Sequence, residues 1–60
     1  MIYDVKISAR KKEDLRVAVE RCYIIEVNGP EEVNAKAKSR ALQDGDIDLV
    51  KVLRKTRMAF

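Results

Sequence analysis

The chain contains no histidine. The most frequent general base and the commonest metal ligand are therefore missing together. Its one cysteine, Cys22, can close no internal disulfide, and a small domain that folds without such staples fits a reducing compartment. Glycine occurs only as Gly29 and Gly45, which leaves no glycine-rich loop to cradle a phosphate. Aromatic residues are limited to Tyr3, Tyr23 and Phe60. Long apolar runs are missing as well: the stretch around Tyr23-Ile24-Ile25 is far short of the roughly 20 residues of a membrane span. The N-terminus has neither the basic start nor the apolar core of a secretory signal. These absences set the expectation of a cytoplasmic, non-enzymatic protein with no membrane partner, no cofactor and no metal site.

What is present is a soluble globular composition. Hydrophobic residues make up 47% and charged residues 38% of 60 positions, too apolar for a disordered tail and too charged for a membrane segment. A single domain of this length buries only about 60% of the surface its unfolded chain exposes, so a partner or a second copy would add stability. The formal net charge is +3, and its distribution is uneven. Lys51, Arg54, Lys55 and Arg57 make the last ten residues purely basic, and Arg10-Lys11-Lys12 and Lys36, Lys38, Arg40 form two further groups. Clusters of this kind meet phosphates or acidic protein surfaces.

Residues 2–7 alternate, with Tyr3, Val5 and Ile7 on one side and Asp4, Lys6 and Ser8 on the other, the pattern of a half-buried strand. The polar stretch at residues 10–14 reads as the exposed connection of a hairpin. Over residues 15–27 the odd positions are apolar except Arg21, and the β-branched content favours a long strand, bulged near Arg21, over a helix. Asn28-Gly29-Pro30-Glu31-Glu32 then predicts a helix start: a capping-type residue, a proline suited to the first turn, and acids that complement the helix dipole. The stripe Val33, Ala37, Ala41 would lie close against a sheet, and Asp44-Gly45 supplies the stop. In residues 47–57, Ile47, Leu49, Lys51 and Leu53 alternate against Asp48, Val50, Val52 and Arg54. A third strand is favoured there, although the apolar spacing also permits a helix. The expected fold is α+β, a ββαβ chain forming a three-stranded antiparallel sheet of order 2-1-3 with one helix on one face.

In such a fold the second sheet face is uncovered, and the alternation places Ile2, Cys22, Ile24, Val50 and Val52 on it among charges. With Met58 and Phe60 of the tail, Ile2, Ile24, Val50 and Val52 make the candidate partner-binding surface, since contiguous apolar area rimmed by charge marks association. Arg10, Lys11 and Lys12 at the hairpin, with Arg54, Lys55 and Arg57 at the end of the last strand, are the candidate basic contacts, able to converge on phosphates or an acidic protein. Both tyrosines fall on the core face, so stacking of single-stranded bases has only Phe60 to use. Asp44, Asp46 and Asp48 occupy the first, third and fifth positions of a calcium loop. Leu49 then stands where the turn needs glycine and Lys55 where the bidentate glutamate belongs, so these acids read as a helix end followed by a strand.

The run Ile2-Tyr3-Asp4-Val5-Lys6-Ile7, the second strand closing in Ile25-Glu26-Val27, and Pro30-Glu31-Glu32-Val33 opening an alanine-rich helix resemble, over nearly the whole chain, small sheet-plus-helix proteins of phages and mobile elements. The DpnD/PcfM-like proteins and small anti-defence proteins, certain anti-CRISPRs among them, share this layout. The resemblance implies a phage-type binding protein that inhibits or modulates a host protein or nucleoprotein complex by steric occupation in the host cytoplasm, and it transfers no site residue. The opening Tyr3-Asp4-Val5-Lys6-Ile7-Ser8 with Asp14-Leu15 also looks like the start of RelE/ParE-type toxins, but the chain has no room for their further helical region and strands. A basic nucleic-acid-binding module is the alternative function, and self-association as a homodimer through the open sheet face is a third.

Overall fold

Alternation in the first half of the chain produces two paired strands, which a computed structural model describes together with the rest of residues 1–59. Strand β1 (Ile2–Lys11) turns at Lys12-Glu13 into β2 (Asp14–Glu26). A short 3₁₀ turn (Pro30–Glu32) leads into helix α1 (Val33–Leu42), and β3 (Ile47–Met58) completes the sheet. The sheet order is β2-β1-β3, with β1 central and antiparallel to both neighbours. The α+β fold expected from the sequence is the one observed.

Tyr3, Val5, Ile7 and Ala9 of β1 are all buried on the face that α1 covers. Val33, Ala37 and Ala41 of the helix meet them with no exposure at all, and the two alanines let the backbone approach the sheet closely. Tyr23 and Ile25 of β2, with Val27 and Ile47, close the core. Burying each of Val5, Ile7, Val33 and Ile47 contributes about 1.5–3 kcal/mol. The ladder gains one further pair where the Met1 ammonium donates to the Val27 carbonyl and the Val27 amide donates to the Met1 carbonyl, both at 2.9 Å.

Three local features differ from the sequence expectation. There is no bulge near Arg21: the β1–β2 register runs unbroken from Ile2↔Glu26 to Arg10↔Ala18, and the irregularity lies at the hairpin end, where Lys11 pairs with Asp14. Leu15 and Val17, at that end, stay exposed. The helix start also works differently, because no side chain caps the turn at Gly29. The Glu32 carboxylate reaches back instead to accept the Asn28 amide at 3.1 Å, one residue before the N-cap amide that the acid of a capping box takes.

Strand β3 departs furthest. Its register against β1 slips between Lys6↔Arg54 and Ile7↔Val52, and again between Ser8↔Lys51 and Arg10↔Asp48. Each slip leaves an extra residue on β3 and shifts the alternation by one position. Val50 and Val52 consequently pack against the core on the helix-covered face, and Leu49 and Leu53 are the exposed ones, Leu49 at 63%. Leu49 also holds a left-handed backbone, φ 53°.

Candidate binding surfaces

The face of the sheet away from α1 is read row by row from the strand pairing. Glu26, Ile2 and Met58 form one row, followed by Ile24, Asp4 and Thr56, then Cys22, Lys6 and Arg54, then Glu20, Ser8 and Lys51, and finally Ala18, Arg10 and Asp48. Of the expected partner-binding residues, Ile2 and Met58 sit here half-buried and side by side, and Ile24 is 61% exposed next to them. Val50 and Val52 do not belong to this surface, because the β3 bulges turn them to the opposite side. Phe60 lies outside the described residues. The apolar part of these rows is thus a small cluster at one end, and the others mix charged side chains with Thr56, Cys22, Ser8 and Ala18.

The charge on this face is mixed, with Asp4 and Arg10 on β1 and Asp48 on β3. Glu20 and Glu26 stand on β2, Lys51 and Arg54 on β3, and Lys6 on β1 bridges toward Glu20 at 3.1 Å. An exposed pair of this kind contributes little to stability, but it cancels one cation and leaves those of β3. Lys6, Lys11, Arg16, Arg21, Lys36 and Arg40 each have a carboxylate within salt-bridge distance. Lys51, Arg54, Lys55 and Arg57 have none among the described residues. Lys55 donates only to the neutral Asn34 Oδ1 at 3.2 Å.

The expected basic contacts are not one patch. Arg10 and Arg54 share the open face with Lys51 between them, whereas Lys55 and Arg57 pair with Val5 and Tyr3 and stand on the helix side. Lys11 is engaged with Asp46 at 3.5 Å, Lys12 occupies the hairpin turn, and Arg10 Nη1 donates to the Arg16 carbonyl at 3.4 Å. Arg10 and the position opposite Arg57 are seven residues apart on β1, a separation of roughly 23 Å along a strand.

A second charged cluster escaped the sequence reading. Arg21 lies on the helix-side face opposite Ile7, and its guanidinium reaches the loop that follows α1. Nη1 donates to Asp44 Oδ2 at 3.0 Å and to Asp46 Oδ1 at 2.9 Å, and Nη2 donates to Asp46 Oδ2 at 2.7 Å. The Tyr23 hydroxyl donates to the same Asp44 oxygen. Arg40 donates to Asp44 Oδ1 at 2.9 Å and lies 4.9 Å from the centre of the Tyr23 ring. The Arg21 hydrogen bond holds the Asp46 carboxyl down at about 2. Asp44 is lowered too, by Tyr23 first and Arg40 next, and desolvation followed by its bond to Asp44 raises Tyr23.

These contacts make the cluster a clamp that ties the α1–β3 loop to β2. They also account for two of the three acids that resemble a calcium loop, since guanidinium groups occupy Asp44 and Asp46, and Asp48 Oδ1 accepts the Leu49 amide at 2.8 Å. The signal for the clamp was visible as the single cation interrupting the β2 alternation, but its partners are more than twenty residues away.

Among the described residues no helix is long and apolar enough to cross a membrane. The molecule is a small α+β domain with one sheet face covered and one open. Compared with protein-family models, with curated proteins and with solved structures, the chain matches none of them.

Proposed function

We propose that this protein is a non-enzymatic binding domain that modulates a host protein or nucleoprotein complex by occupying its surface, as the likeness to small phage and mobile-element proteins implies. The observation that carries this reading is the run of cations on β3. Lys51, Arg54, Lys55 and Arg57 have no described carboxylate to neutralise them, while the acids at Asp44 and Asp46 are taken up by the clamp. A strand whose four cations have no carboxylate partner among the described residues is complementary to an anionic surface. The small apolar end formed by Ile2, Ile24 and Met58 adds a desolvated contact beside it.

Nucleic acid is the second reading, favoured by Arg10, Lys51 and Arg54 following one another on the open face. Nuclease separates the two, because contacts made by these cations weaken with salt on either partner, whereas only a nucleic-acid partner is lost on digestion. A tagged pull-down from bacterial lysate, with and without nuclease and across a salt series, tests the proposal. Recovery of a discrete protein after nuclease at moderate salt is the expected result. Recovery of nucleic acid alone, lost as salt rises, would replace it with the second reading.

A further inference from the structure

Strand β3 forms one border of the sheet, and among the described residues no backbone hydrogen bond outside the sheet ladder involves residues 54–58. An open border is a template for another strand, and bulges and charges are the usual devices that blunt it. Both β3 bulges fall before Arg54. From Lys6↔Arg54 to Ile2↔Met58 the pairing with β1 is regular, a stretch about as long as an ordinary strand.

The cations along this stretch alternate between faces. Arg54 is on the open face, and Lys55 and Arg57 are on the helix side. A strand laid against this border would present its own side chains to both faces in turn, so acids at either parity would meet a cation across the new pair.

We propose that the outer edge of residues 54–58 takes up an extended acidic segment of a partner protein by strand addition. This rests on the binding reading above and specifies how the partner is held. A second copy of the same edge fits less well, since antiparallel pairing centred on Thr56 would set Lys55 directly against Arg57 of the other copy. A nucleic acid strand fits less well too, because the cations do not share one face and the rings of Tyr3 and Tyr23 are buried away from any base.

The probe is a short fluorescein-labelled peptide in which Glu alternates with Thr, compared with the same peptide N-methylated at every second amide. N-methylation keeps every charge and removes main-chain donors. Anisotropy should show the N-methylated peptide binding about tenfold more weakly, because it loses main-chain hydrogen bonds to the strand edge. Hydrogen exchange should show solvent-facing amides within residues 54–58 becoming protected only when the unmodified peptide is bound. K55E/R57E, and the milder K55Q/R57Q, should lose the peptide while exchange in β1 reports an intact fold.

Equal affinity for the two peptides, no binding of either, or protection appearing elsewhere would overturn strand addition. Tighter binding of single-stranded oligo-dT, lost in K55E/R57E, would overturn it in favour of nucleic acid. In the pull-down, a partner captured equally by wild type and K55E/R57E would leave the binding function standing and remove this mode, whereas no capture by either would remove both.

Discussion

Arg21 occupies a position where the alternation of β2 calls for an apolar side chain, and the loop after α1 resolves the conflict by bringing Asp44 and Asp46 to its guanidinium. The sign of the resulting pH dependence follows from the direction of the shift. Asp46 titrates at about 2 in the folded protein against an ordinary 3.8, so its contribution is full above the ordinary value and disappears as pH falls toward about 2. Acid titration followed by circular dichroism should show D46N less stable than wild type at neutral pH but with a shallower loss below about pH 4.

Two backbone positions give further expectations. Gly45 has φ 80°, where a Cβ is disfavoured, so G45A should cost about 1 kcal/mol. Leu49 carries that penalty already, and because its side chain is largely exposed, L49G should gain about 1 kcal/mol in chemical denaturation. An unchanged denaturation midpoint in L49G would mean that the bulge carries no strain.

At the scale of elements, β1 and α1 were legible because each keeps a single period from end to end, and β2 because it keeps one over residues 19–25 with only Arg21 interrupting. The helix stripe Val33, Ala37, Ala41 is the buried set observed. A37L should therefore lift the helix off the sheet and cost about 1–3 kcal/mol, whereas A35L on the exposed side should stay within about 0.5 kcal/mol. Thermal melts of the two variants make the comparison.

Strand β3 was legible as a strand but not in phase. A bulge depends on how the partner strand is paired, and nothing in the order Leu49-Val50-Lys51-Val52-Leu53 distinguishes a bulged strand from a flat one. The error passed directly to the candidate site, which gained Val50 and Val52, whereas Leu49 and Leu53 are the exposed side chains of that stretch. Charge reversal discriminates the faces. V52D should destabilise the domain because Val52 packs on the core, and I24D should leave the fold intact because Ile24 faces solvent. Equal melting temperatures for V52D and wild type would contradict the observed register.

At the scale of the molecule, the extents of 38 × 15 × 15 Å describe a narrow sheet whose long borders make up much of its surface. The sequence showed where cations cluster along the chain but not which of them acids neutralise, since the pairs Arg21–Asp44 and Lys11–Asp46 join distant segments. Once those pairs are formed, the hairpin cluster is partly spent and β3 is left as the unneutralised border. Function on this account is a property of that border together with the small apolar end of the open face.

The most direct test is the pull-down repeated with R54E/K55E/R57E, nuclease-treated and checked for an intact fold by hydrogen exchange. A discrete protein retained by the wild type and lost from the variant is the expected result. Retention of that protein by the folded variant, or retention of nothing by the wild type, would contradict it.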